Sequence, residues 1–182
     1  DDIEERGGRG VVVRDRRLLG LVVASLVMLT CGYGAMEAGL AIYITDTAKL
    51  AASLIGIVFL VNTLTIVFGQ LVMLRVIRHR SRIRLMGLTA LLWGSSWLLS
   101  AVVPGFPVWA AITVLLVAQV VFALGETVWS PTMPSLVNAI SPDHLRGRYN
   151  AAQSLTWAMG SMIAPIIAGS LIGAGHGVLW VI

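Results

Sequence analysis

Two glutamates stand isolated among apolar residues, and they are where this sequence can do chemistry. Glu37 is the only charged residue between positions 18 and 44, and Glu126 the only one between 108 and 137. A carboxyl group in hydrocarbon is costly, about 2.5–3.5 kcal/mol for a charged side chain at the centre of a membrane helix, so such residues face a bundle interior or a wet cavity. A carboxyl that moves between dry and wet surroundings takes up and releases a proton as its exposure changes, and can couple proton flow to movement. Counted from Leu18 and Val108, where their runs begin, the two acids fall one position apart in register. We therefore expect related places for them near the two mouths of one pathway, with Glu37 the first choice for proton coupling and Glu126 acting in gating or proton release.

The polar residues around them follow helical spacing. Tyr33 precedes Glu37 by four residues, which puts its hydroxyl on the same face and within reach of the carboxylate. Gln119 lies two turns before Glu126 on one face, Asn62 and Gln70 lie in a second apolar run, and Gln153 is followed four residues later by Trp157. Tyr33, Asn62, Gln119, Gln153 and Trp157 are the expected cavity-lining residues. Polar side chains in such runs also serve as hydrogen bonds between helices.

Metal and nucleophilic chemistry find little here. His79, His144 and His176 fall in three different connectors, and Cys31 has no second cysteine. The sequence lacks H-E-x-x-H, G-x-S-x-G and a phosphate-binding glycine loop. We expect neither an enzyme nor a cofactor. A membrane enzyme and a half-size membrane scaffold without transport are the competing readings.

The elements that position these residues are written in the composition. Of 182 residues, 57% are hydrophobic and 12% charged, against roughly 45–50% and about 25% in soluble domains. An ordinary soluble domain is excluded, and the missing solvent is lipid. Apolar runs span 18–44, 51–76, 85–103, 108–128 with a possible continuation to 137, and 149–173, with a sixth beginning at 177. Runs of this length without period-two alternation are helices, because lipid offers the backbone no hydrogen-bond partner. The expected fold is an all-α integral membrane half-bundle of six helices, five complete and one truncated, arranged as two inverted three-helix repeats. The sequence divides into a linker, 1–17, and a transmembrane part, 18–182. Both ends read as cut, the first for want of a signal peptide and the second because an apolar run stops soon after it starts.

Charge gives the orientation. Twelve of the thirteen Lys and Arg residues lie in 1–17, in 75–84 and at Arg146 and Arg148, and only Lys49 falls in the alternate connectors. Alternation of helix direction puts the three arginine-rich segments on one side, which the positive-inside rule makes cytoplasmic. Residues 1–17 and connectors 78–84 and 138–148 are thus expected in the cytoplasm, with the protein in the cell membrane. These arginines read as topology determinants and lipid-headgroup contacts. The formal charge of +4 and pI near 10.0 do not indicate nucleic acid, since no folded basic face is on offer.

Two runs differ in texture. The third, 85–103, contains no Asp, Glu, Asn or Gln, and its bulk comes from Leu, Trp93 and Trp97, so lipid contact is expected for it. The fifth is rich in Ala, Gly and Ser at three- and four-residue spacing, which permits close backbone approach, and Pro165 is expected to bend it.

The order and content of these runs resemble the C-terminal half of a major facilitator superfamily transporter, helices seven to twelve. Gly125-Glu126, Pro131, Pro134 and then Pro142 with Arg146-Gly147 are similar to the family's tenth helix and its P-x-x-x-R-G loop. Asn62-Thr63-Leu64 through Gly69-Gln70 resembles the eighth helix, and Gly160-x-x-x-Ala164-Pro165-x-x-Ala168-Gly169 the eleventh-helix counterpart of an antiporter motif. Two departures stand out: Met73 and Leu74 lie where the loop signature has an acid, and Ala164 where glycine is usual. The resemblance implies alternating access, two halves rocking around a cavity lined by helices one, four, seven and ten, with the ninth helix peripheral. It implies as partners a small-molecule substrate, protons, the lipid bilayer and an N-terminal six-helix half. The expected function is proton-coupled transport of small organic molecules, with drug-like efflux favoured over uptake.

Overall fold

The computed structural model describes residues 14–174, apart from the side chains of Ala38 and Ile172. The linker residues before 14 and the run from 177 lie outside the described residues. Among the described residues every regular element is helical, and five stretches are long and apolar enough to cross a membrane. In chain order we label α1 (Arg16–Met28), α2 (Gly34–Ile42), α3 (Ser53–Ile77), α4 (Arg82–Ala101), α5 (Val108–Ile140) and α6 (Arg146–Gly173).

The first span starts two residues before the expected boundary. Asp15 caps α1, its carboxylate accepting the backbone N–H of Arg17 at 2.8 Å, the usual way to satisfy a free amide of a first turn. The span is not one α-helix. A π-helical turn, Leu29–Tyr33, joins α1 to α2, and a second, Tyr43–Thr47, ends α2. Such turns insert an extra residue into the ladder and re-aim the side chains that follow.

The helices then pack by exchange. The second span, α3, lies against α5, while α1 and α2 lie against α6. The second span thus packs on the fourth and the fifth on the first, a reciprocal arrangement that inverted repeats produce. Close approach in the second contact depends on small residues, as the composition of α6 suggested. A Cβ on Gly34 would stand 2.5 Å from that of Ala164, and one on Gly160 would stand 2.8 Å from the Cβ of Leu29.

The helix α4 departs from expectation. Its outer face, with Leu91 and Leu98, is exposed, but Trp93 and Trp97 are buried in the main core together with Phe122 of α5. The Trp93 indole stacks on Phe122 at 5.2 Å and donates its N–H to the Phe122 carbonyl at 3.2 Å. It occupies space left by two missing side chains, since a Cβ on Gly32 would lie 2.4 Å from its ring and one on Gly125 would lie 2.5 Å away. Absence of polar residues distinguished neither face of α4, because a tryptophan core and a lipid surface have the same composition.

The fourth span, α5, is longer than read from sequence. It runs unbroken through Pro131 and Pro134 to Ile140, and α6 likewise continues past Pro165. A second small core joins Leu18, Met133, Val137, Leu145 and Tyr149 at the arginine-rich end. There Tyr149 donates its hydroxyl to Asp15 at 2.6 Å, which fastens the start of α1 to α6. That bond, followed by the one from the Arg17 amide, holds the Asp15 carboxyl below its ordinary range.

Candidate functional site

The exchange packing brings the first span, α3, α5 and α6 around a cleft of about 390 Å³. Each wall has a local reason to be there. The π-helical turn presents Tyr33, α3 presents Gln70, and α5 presents Glu126 with Trp129 and Ser130 three and four residues on. Gln153 and Trp157, one turn apart on α6, close the remaining side. The Tyr33 and Trp157 rings approach to 6.5 Å between centroids at a tilt of 47°.

Glu126 is the chemical centre of this cleft. Asn62, buried on α3, donates its Nδ2–H to Glu126 Oε2 at 2.8 Å. Tyr33 lies one helical turn before Glu37 on the first span. Asn62 and Glu126 thus form a polar pair between α3 and α5, with Tyr33 lining the same cleft as Glu126. On the α6 side, the Ser25 hydroxyl approaches Gln153 Oε1 at 3.5 Å.

Of the residues expected from sequence, Tyr33, Glu126, Gln153 and Trp157 line the cleft, and Asn62 is bonded to Glu126. Glu37 is exposed and does not line the cleft. Gln119 is fully buried away from the cleft, with its side-chain carbonyl unpartnered. Trp129 and Ser130 are lining residues that the sequence reading passed over. Their positions at i+3 and i+4 from Glu126 were the available signal.

No basic residue lines the cleft, so whatever enters meets a carboxyl, amides, hydroxyls and aromatic faces. That lining suits a small molecule with an apolar body, and the aromatic faces with the acid suit positive charge. Among the described residues no three His, Cys, Asp or Glu gather as a metal-binding group.

Comparison with known proteins agrees with the architecture. The family model of the Major Facilitator Superfamily matches residues 12–182. An uncharacterized MFS-type transporter, YhjO, of Bacillus subtilis (strain 168) is 29% identical over 68 residues, which is 37% of this chain and 17% of that protein. A Na(+), Li(+), K(+)/H(+) antiporter of Planococcus maritimus is 35% identical over 78 residues, 43% of this chain and again 17% of the relative. The matched stretches thus span about a sixth of either relative's length. No solved structure matches the chain. With five described stretches long and apolar enough to cross a membrane, packed by exchange, and a family match over nearly its whole length, the chain belongs to the Major Facilitator Superfamily of transporters.

Proposed function

We propose that this chain is the C-terminal six-helix half of a proton-coupled secondary transporter, working by alternating access with an N-terminal half to move small organic molecules out of the cell. The observation that carries the reading is the Asn62–Glu126 hydrogen bond beside a cleft that has aromatic walls and no base. Glu126 holds or releases a proton there as the cleft opens to one side or the other. Glu37 exchanges protons with it by way of Tyr33, and Gln153 and Trp157 contact the substrate. Proton and substrate compete for one acid, which makes exchange of the two the natural outcome. The arginine-rich end faces the cytoplasm of a cell membrane under the positive-inside rule.

A second reading is exchange of an alkali cation for protons. The acid in the cleft and the name of the Planococcus relative favour it. Inverted vesicles containing the complete two-half protein separate the two. With the lumen acidified and a pH-sensitive dye inside, addition of organic cations discharges the gradient under the first reading. Sodium or potassium salts discharge it under the second. A gradient that responds to neither class removes proton-coupled export from consideration.

A further inference from the structure

The cleft around Glu126 has an acceptor oxygen that its side chains do not account for. Glu126, Ser130 and Pro134 follow one another a helical turn apart on α5, and all three line the cleft. In an α-helix each carbonyl bonds the amide four residues on. Proline has no N–H, so the Ser130 carbonyl has no such partner at Pro134. That carbonyl lies on the helix surface between the Ser130 and Pro134 side chains, and both residues are exposed. An acceptor is thus left over on the cleft wall, where a ligand can reach it. Pro131 frees the Thr127 carbonyl by the same rule, but Thr127 is buried and does not line the cleft.

Glu126 adds to this acceptor. Asn62 occupies its Oε2, which leaves Oε1. Residues four apart on a helix have Cβ atoms about 5–6 Å apart, so one atom placed between Glu126 and Ser130 reaches the carboxylate, the Ser130 hydroxyl and the freed carbonyl together. An ammonium nitrogen brings a positive charge and three N–H donors to those three acceptors. The rest of the wall is apolar and aromatic. Trp129 is backed by Trp93, their ring centroids 5.4 Å apart at 33°, which holds it at the cleft wall. Trp157 reaches the cleft from α6. Aromatic faces attract a cation and bury an apolar body at once. The volume of about 390 Å³ is that of a small-molecule site, far more than a bare metal ion occupies.

We infer that the cleft selects protonated amines that keep their N–H groups, with the ammonium held by the Glu126 carboxylate, the Ser130 hydroxyl and the Ser130 carbonyl that Pro134 leaves free. The apolar body of the amine lies against Trp129 and Trp157. The inference rests on the reading of this cleft as the site of an exported organic cation, and it names the class: primary and secondary ammonium ions ahead of quaternary ones. A quaternary nitrogen carries the same charge but no N–H, so it shields the freed carbonyl from water and gives it no donor in return. Charge and aromatic attraction are common to both classes, and the carbonyl is what separates them.

Scintillation-proximity binding of tritiated phenethylammonium to the complete two-half protein in nanodiscs tests it, with trimethyl(phenethyl)ammonium as competitor. Phenethylammonium binds saturably and about tenfold more tightly than its trimethyl analogue, the worth of one hydrogen bond to a charged group. Pro134→Ala returns an N–H to the helix ladder without removing any side-chain oxygen, and alanine favours a helix interior, so this change spares folding. It weakens phenethylammonium binding about tenfold and leaves the trimethyl compound unchanged. Pro131→Ala, whose freed carbonyl is outside the cleft, leaves both unchanged. A mere difference in ligand size does not give that pattern. Equal affinity for the two ligands, equal weakening by Pro131→Ala and Pro134→Ala, or the absence of saturable binding overturns the inference. Saturable binding that prefers N–H groups yet discharges no proton gradient in inverted vesicles upholds the inference and removes the transport reading instead.

Discussion

Asn62 on α3 donates a hydrogen bond of 2.8 Å to Glu126 on α5, joining two helices that the whole of α4 separates along the chain. The bond gives the α3–α5 contact a polar centre inside otherwise apolar surroundings. Replacing Asn62 by leucine leaves Glu126 without its amide donor. We expect a loss of about 1–3 kcal/mol in stability, read as a lower unfolding temperature in detergent, with transport reduced as well. Asn62→Gln, which can still donate, retains more of both.

Trp93 is the packing wedge between the two helices that carry the glutamates. Gly32→Ala and Gly125→Ala each force a methyl into the indole, and each should cost about 1–3 kcal/mol. Combining either with Trp93→Leu should recover part of the loss, because both changes act on one contact. Gly94→Ala, which meets nothing within 4 Å, serves as the neutral comparison. Thermal unfolding of wild type, the glycine variant, Trp93→Leu and the double variant measures the coupling.

At the arginine-rich end, the Tyr149 hydroxyl holds the Asp15 carboxyl below its ordinary range. A carboxyl lowered in the folded state stabilises the fold above its unfolded value of about 3.9. That contribution disappears as pH falls through the lower folded value. Wild-type stability should therefore decline below about pH 4 by a part that is absent from Asp15→Asn. Tyr149→Phe should shrink that decline, because the folded value then returns toward the unfolded one. A pH series of unfolding temperatures checks both.

The close contact between the first span and α6 makes a further prediction. Gly34→Leu places a bulky group where Ala164 Cβ already stands. It should separate α2 from α6 and lower the yield of folded protein in the membrane, while Gly20→Leu, which meets nothing within 4 Å, is tolerated.

Much of this was legible in the residues. Length and apolar content set the number and position of the described spans, because lipid admits no irregular backbone at its core. The isolation of Glu126 and the helical spacing of Tyr33, Gln153 and Trp157 marked four of the residues that meet in the cleft. The partners were harder to read. Nothing in the spacing tells Asn62, which bonds Glu126, from Gln119, which is buried elsewhere, since both are amides in apolar runs and only packing across helices decides. The inward face of α4 was hidden for the same reason, Trp93 being equally at home in lipid or in a core. The π-helical turn at Leu29–Tyr33 went unseen because its Gly32 permits it without requiring it.

The central claim is that the acid in the cleft carries the coupled proton. The most direct test is substrate transport driven by a pH gradient in proteoliposomes of the complete protein, comparing wild type with Glu126→Gln and Glu37→Gln. We expect Glu126→Gln to abolish gradient-driven accumulation while still exchanging labelled for unlabelled substrate, and Glu37→Gln to slow accumulation. Gradient-driven transport with an unchanged pH profile in both variants would contradict the account and return the two glutamates to a structural role.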